Sequence, residues 1–155
     1  MTNLNKELLL HNINIREIQH DDFDRGYMKL LFQFTNYEYP IDKKQFISYL
    51  NEMKNRCEIM VIHFQLDNTL IGAGTIFKIE KLHNNPIGQI EDVIIDEKYR
   101  KLGLGKKIIN KLVDVGLNKF KCYKIVLNAL EKNTDFYISC GFQKVGNEFK
   151  YSIKI

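Results

Sequence analysis

Residues 89–117 constrain the fold more than any other stretch. They open on QIEDVIID (89–96), an apolar-rich run of strand length. Tyr99-Arg100-Lys101-Leu102-Gly103-Leu104-Gly105 follows, and then Leu104, Ile108, Ile109, Leu112, Val113 and Leu117 recur at helical spacing. A strand that feeds a glycine loop into an amphipathic helix needs a sheet face to receive the apolar stripe. That requirement selects a layered α/β domain.

The rest of the chain agrees. Residues 12–16 alternate like a strand. Asp21 is a candidate N-cap for a helix carrying Phe23, Tyr27, Leu30, Leu31 and Phe34 inward, broken at Tyr39-Pro40; Asp42 is the N-cap of a second, with Phe46, Tyr49, Leu50 and Met53 inward. Residues 58–66 and 69–80 read as a hairpin turning at Asp67-Asn68. Residues 81–87 read as a loop, 122–129 as a strand, and 134–140 as a short helix stopped by Gly141. Residues 142–145 and 149–153 read as final strands. The order predicts a mixed sheet with helices packed on it.

At 155 residues the chain is one domain, and residues 1–11 read as a poorly ordered tail. No apolar run reaches the length of a membrane span, and no signal peptide is evident. Three cysteines, Cys57, Cys122 and Cys140, form no CxxC pair and no zinc-spaced cluster, so no metal is expected and the cytoplasm is the expected compartment. Residues 96–124 hold nine Lys/Arg against three acids, a local basic field suited to an anionic ligand. No aromatic-interleaved basic stripe or nucleic-acid motif accompanies it, so neither nucleic acid nor membrane is an expected partner.

Arg100-x-x-Gly103-x-Gly105 sits between strand and helix, where unpaired backbone N–H groups and the helix dipole favour anions. Glycine lets a phosphate approach the main chain closely. The loop therefore suits a pyrophosphate. It is not a Walker A loop, because Lys107 stands where Ser/Thr is needed; nor is it a Rossmann fingerprint, because Ile108 replaces the third glycine.

In this context the sequence resembles the GCN5-related N-acetyltransferase superfamily. Ile90-Glu91-Asp92-Val93, Cys122-Tyr123-Lys124-Ile125, Glu131-Lys132-Asn133 and Phe136-Tyr137 with Gly141-Phe142 narrow the resemblance to the eukaryotic glucosamine 6-phosphate N-acetyltransferase family; Asp24-Arg25-Gly26-Tyr27 and Gln33-Phe34-Thr35 also fit. The resemblance covers roughly residues 15–150. It implies a mixed, mostly antiparallel sheet splayed at its central strands with helices on both faces. It also implies acetyl-CoA as co-substrate, glucosamine 6-phosphate as acceptor, a place in UDP-N-acetylglucosamine synthesis, and a homodimer sharing the acceptor pocket.

By the same resemblance, Asp92, Val93, Ile94, Arg100, Lys101, Leu102, Gly103, Leu104, Gly105, Lys106, Asn133 and Tyr137 bind acetyl-CoA. Glu91 holds the substrate ammonium and takes its proton, directly or through water. Adjacent strand residues face opposite sides, so a bulge at the splay has to redirect Glu91 or Asp92. Tyr137 serves the departing thiolate as general acid, and Asn128 orients the amine. Asp92 anchors the site or the sugar hydroxyls. Thr35, Lys81, Leu82, His83, Tyr123, Lys124 and Lys150, with Glu91, Asp92 and Asn128, complete the acceptor site.

Three positions depart from the family. Asn128 stands where an acid is common, and Ser152 stands where an arginine usually helps bind the phosphate, with Lys150 and Lys154 to either side. The segment 81–87 is also shorter. Two other readings use the same residues. One is a related acetyltransferase for a peptide or another small amine; the other is a non-catalytic acetyl-CoA-binding module, which has no need of Glu91 and Tyr137.

Overall fold

A computed structural model describes residues 3–35 and 40–146. Its sheet runs β1-β2-β3-β4-β5. β1 (Ile13–Glu17), β2 (Cys57–Phe64), β3 (Thr69–Lys81) and β4 (Asn84–Ile95) pair antiparallel, and β5 (Lys124–Leu127) lies parallel to β4. The sheet is buried on both faces, which is why β2 reads as a nearly unbroken apolar run. Met60, Ile62, Ile71, Ile76 and Ile90 pack towards α4 (Leu104–Asp114). Ile59, Val61, Leu70, Ala73 and Ile94 pack towards Tyr27 and Leu30 of α2 (Tyr27–Thr35) and Phe46 of α3 (Lys43–Met53). Helices therefore cover both faces.

Local signals explain most boundaries. Asp42 accepts from the Gln45 N–H at 2.8 Å while Gln45 accepts from the Asp42 N–H at 2.9 Å, a reciprocal cap that starts α3. Leu104, Ile108, Ile109 and Leu112 are almost wholly buried, each worth roughly 1.5–3 kcal/mol of transfer free energy. β3 is grooved to receive them: a Cβ on Gly74 would stand 2.8 Å from Leu112 Cδ1. α5 (Thr134–Ser139) ends at Gly141, φ +92°, as its glycine suggests.

Several expectations are corrected. Residues 3–11 are not a loose tail but helix α1 (Asn3–His11), because Leu9 finds a place in the α4-side core and is 3% exposed. The helix expected from Asp21 is interrupted. A 3₁₀ turn (His20–Asp22) comes first, and α2 begins only after Gly26, φ +92°. Tyr49 points to solvent. Leu117 is also exposed, because α4 runs into one π turn (Val115–Lys119) whose wider winding takes the stripe out of phase. Gly116 faces the sheet there instead, and a Cβ on it would meet Ile125 Cδ1 at 2.7 Å. The supposed loop 81–87 is the tip of the β3–β4 hairpin: Lys81 pairs with Asn84, leaving a two-residue turn of Leu82 and His83. Residues 142–145 form no strand. The strand expected at 149–153, with Lys150, Ser152 and Lys154, lies outside the described residues.

Asp22 explains how the N-terminal segment is held. Its fully buried carboxylate accepts from Arg16 Nη1 and Nη2 at 2.7 and 2.8 Å, from Arg25 Nη1 at 3.1 Å and from the Gln19 N–H at 2.7 Å. Burial alone would raise its pKa. The hydrogen bonds and charges of Arg16 and Arg25, with the Gln19 N–H, outweigh that and hold it below the ordinary carboxylate range.

Candidate active site

Two irregularities meet on β4. Its parallel pairing with β5 runs from Ile87–Lys124 to Ile90–Leu127 and stops, while β4 continues to Ile95. On its other edge, Thr75 pairs with Glu91 but Ala73 pairs with Ile94, so Asp92 and Val93 together oppose Gly74. That is a β-bulge, and Asp92 carries its strain at φ +52°. Ile90 and Val93, three residues apart, consequently face the same core. The bulge gives the two carboxylates different neighbours. Glu91 accepts from Gln89 Nε2 at 2.8 Å, and its charge helps raise the Tyr137 pKa. The charge of Asp92 helps raise the pKa of Tyr27 on α2, where burial is the larger cause. Although solvent reaches Asp92, partial desolvation and the neighbouring Glu91 push its own pKa up.

Beyond β4 the chain makes a 3₁₀ turn (Glu97–Tyr99) capped by Asp96, whose Oδ1 accepts from the Lys98 N–H at 2.9 Å. Arg100 is exposed and donates from Nε to the Ile95 carbonyl at 3.1 Å. Lys101 and Gly103 both take positive φ, +64° and +81°. Gly103 is the N-cap of α4, and a Cβ there would meet nothing within 4 Å. The first N–H groups of α4 thus follow a glycine N-cap with no side-chain cap, an arrangement that suits the phosphates of a coenzyme A. Gly105 has a different job: a Cβ on it would stand 3.1 Å from Phe136 Cζ, so α5 packs directly on the start of α4. Lys106 reinforces that contact by donating to the Ser139 carbonyl at 2.7 Å. Leu102 and Leu104 pack into the core, as do Val93 and Ile94, so the side chains of these four are committed to packing.

Tyr137 lies on the face of α5 that meets the α4-side core, edge-on to Phe136 (centroids 5.0 Å apart) and to Phe142 (6.3 Å). Burial is the main reason its pKa is raised, with smaller contributions from Cys140 and Glu91. The proton therefore stays on the phenol at neutral pH, available for donation. Tyr137 and Asn128 line one cleft of about 430 Å³ beside β5. Asn133 is exposed at the end of the 3₁₀ turn (Glu131–Asn133) that leads into α5.

Not every expected acceptor residue is brought here. Lys81, Leu82 and His83 sit at the hairpin tip, six residues along β3 from the Thr75–Glu91 rung. At the strand rise that is roughly 20 Å. Lys124 pairs with Ile87, four residues from Glu91, and its ammonium lies 5.5 Å from the ring centre of Tyr123. These five residues mark the opposite end of the same strands. Thr35 closes α2, its hydroxyl donating to the Leu31 carbonyl at 3.3 Å. Sequence reasoning missed Gln89, whose two-residue offset from Glu91 was the available signal, and Phe136 as the ring that fills the space over Gly105. Among the described residues no group of His, Cys, Asp or Glu could hold a metal, and no helix is long and apolar enough to cross a membrane.

Residues 14–142 match the Acetyltransferase (GNAT) family. The chain is 35% identical over 139 residues to glucosamine 6-phosphate N-acetyltransferase 1 of Dictyostelium discoideum, covering 86% of this chain and 87% of that protein. It is 31% identical over 147 residues to a probable glucosamine 6-phosphate N-acetyltransferase of Drosophila melanogaster, covering 92% and 66%. The crystal structure of the Arabidopsis thaliana glucosamine-6-phosphate N-acetyltransferase superposes with a TM-score of 0.85 at 26% identity, covering 92% of this chain and 99% of that one. A splayed bulged strand, a glycine-capped helix beyond it and this breadth of likeness lead to one assignment: the chain belongs to the GNAT acetyltransferases, which use acetyl-CoA, and within them to the family of the glucosamine 6-phosphate N-acetyltransferases.

Proposed function

We propose that this chain transfers the acetyl group of acetyl-CoA to the 2-amino group of D-glucosamine 6-phosphate, giving N-acetylglucosamine 6-phosphate and CoA by direct attack in a ternary complex. The observation that carries the reading is the coincidence at Glu91. There β5 leaves β4, the bulge gives Glu91 and Asp92 different neighbours, and the strand then leads into the Gly103 loop. The names of the relatives supply the acceptor.

Each residue has a definite task in this reading. The β4 backbone past Ile90 has no strand partner on the β5 side among the described residues, so it can pair with the pantetheine arm as an added strand would. Arg100, Lys101, Gly103 and the first N–H groups of α4 take the pyrophosphate, and Asn133 takes part of the arm. Glu91 receives the proton that the sugar ammonium sheds. The freed amine forms the C–N bond at the thioester carbonyl, the C–S bond breaks, and the sulfur leaves as thiolate while the amine's second proton is passed on to it by way of Tyr137, giving the neutral amide and the CoA thiol. Tyr137 donates to that thiolate. A thiol of pKa ~8.5 against a phenol above ~10 makes full transfer uphill, yet a hydrogen bond to the forming charge already lowers the barrier. Asn128 orients the amine through its backbone carbonyl, so the missing acid costs little.

Phosphate recognition is assigned to Lys81 and His83, with Leu82, Tyr123 and Lys124 around them and Lys150 near the C-terminus. Their distance from Glu91 within one chain supports a homodimer in which the hairpin tip of one copy completes the pocket of the other. The cytoplasm, where acetyl-CoA and sugar phosphates meet, is the assigned location. The test is release of free CoA thiol with glucosamine 6-phosphate and unphosphorylated glucosamine as parallel acceptors. Fast release with the phosphate ester alone is expected; equal rates with both, or no release with either, would overturn the assignment.

A further inference from the structure

Gln33 lies on α2, yet its side chain reaches across to the end of β4. Its Nε2 donates to Asp96 Oδ2 at 2.9 Å, and its Oε1 accepts from the Glu97 N–H at 3.2 Å. Asp96 is the hub of this corner. Its Oδ1 accepts from the Lys98 N–H at 2.9 Å, its N–H donates to the Ile71 carbonyl at 3.0 Å, and its carbonyl accepts from the Tyr99 N–H at 2.9 Å. The turn it starts ends at Arg100, the first residue of the Gly103 loop. One primary amide thus meets a carboxylate with its donor end and a backbone N–H with its acceptor end. A carboxylate cannot do the first and a hydrocarbon can do neither.

We propose that Gln33 and Asp96 are positioning residues for the donor site, a clamp by which α2 holds the 3₁₀ turn and so sets where the Arg100–Gly103 backbone meets acetyl-CoA. The inference rests on the reading that this loop binds the pyrophosphate. Without the clamp the turn keeps its own cap from Asp96 to Lys98, so the local conformation persists. What is lost is its fixed position on the sheet. Part of the binding free energy of acetyl-CoA then goes into ordering the loop, and affinity falls without a change in the chemistry.

Reciprocal exchange gives a clean test. Gln33→Glu sets carboxylate against carboxylate, and Asp96→Asn sets amide against amide. The double variant Q33E/D96N restores both contacts with the roles reversed, because the asparagine donates to the glutamate, which still accepts from the Glu97 N–H. Acetyl-CoA affinity is measured by calorimetry on the intact chain, with Gly103→Val as the reference for the loop itself. Each single change is expected to weaken affinity about tenfold to a hundredfold, the scale of one charge-assisted hydrogen bond. The double variant is expected within about twofold of the unaltered protein. kcat at saturating acetyl-CoA is expected to stay within about twofold throughout while KM for acetyl-CoA rises, a split that general loosening of the fold would not produce. Single variants that bind normally while Gly103→Val does not would overturn the clamp alone. Normal binding by Gly103→Val would overturn the loop reading and the clamp with it. A double variant no tighter than the weaker single also overturns the clamp.

Discussion

Gly105→Ala separates catalysis from stability, and the structure sets both magnitudes. The added Cβ would lie 3.1 Å from Phe136 Cζ and 3.3 Å from Cε2. Carbon atoms settle at about 3.5–4.0 Å, so the ring must retreat by roughly 0.5 Å. It can, because Phe136 is 37% exposed and has room to move outward. The methyl group also removes the glycine penalty in the first turn of α4, worth up to about 1 kcal/mol. Thermal stability is therefore expected to stay within about 1 kcal/mol of the unaltered protein. Catalysis has no such compensation. Phe136 and Tyr137 are neighbours on a six-residue helix, edge-on at 5.0 Å, so displacing one ring moves the other. A misplacement of about 1 Å costs on the order of 10²-fold, so half of that costs about tenfold, or ~1.4 kcal/mol of barrier. The assay is thiol release at saturating acetyl-CoA and acceptor, beside a melting curve. The partner experiment is a double-mutant cycle with Phe136→Leu, in whose smaller side chain the alanine finds space, so Gly105→Ala should cost less there. An unaltered kcat in well-folded Gly105→Ala would refute the idea that Phe136 sets the position of Tyr137.

Tyr137→Phe should lower kcat about 10²-fold while calorimetry finds acetyl-CoA affinity unchanged, because the hydroxyl acts on the leaving group and the ring contacts remain. Glu91→Gln should lower kcat/KM for the acceptor about 10²-fold at pH 7, whereas Gln89→Ala, which removes only the hydrogen bond to Glu91, should cost less than tenfold; equal losses would show that orientation rather than proton transfer matters. Asp22→Asn should destabilise the fold by about 2–4 kcal/mol, since it breaks a buried ion pair while leaving Arg16 in place. The Asp22 pKa is lowered by folding, so its contribution is complete above the unfolded value near ~3.9 and fades as pH falls towards the folded one. The gap in melting temperature between the two proteins should accordingly be widest near pH 7 and shrink below pH ~4; a constant gap would assign the stabilisation to something other than the charge.

Much of this molecule is legible from local chemistry. The Asp42–Gln45 cap, the Leu104–Leu112 stripe, the Gly141 stop and the apolar runs of β2 and β3 each depend on residues within a turn or two of one another. Their spacing alone decides the outcome. The Gly103 loop is legible for the same reason, since a positive φ at a helix N-cap is a property of one residue and its neighbours. The errors share a different cause. α1 forms because Leu9 has a core to enter, and nothing within residues 3–11 announces that core. Leu117 leaves the stripe because Gly116 must lie close to Ile125 and Ile76, a demand made by the sheet.

The site divides the same way. The sequence by itself determined that two adjacent carboxylates precede a glycine loop at a helix start and that a tyrosine follows on a short helix. It could not determine how those two carboxylates turn relative to one another. A regular strand would send Glu91 and Asp92 to opposite sides, and only the mismatch of Gly74 against two β4 residues decides how they turn. Nor could it place Lys81 and His83 roughly 20 Å from Glu91, because that distance follows from a two-residue turn holding both strands in register to their tip. Contacts such as Gln33–Asp96 and Gly105–Phe136 join residues 63 and 31 positions apart. Periodicity describes the face a residue presents, and only the packed sheet and helices decide what meets it there.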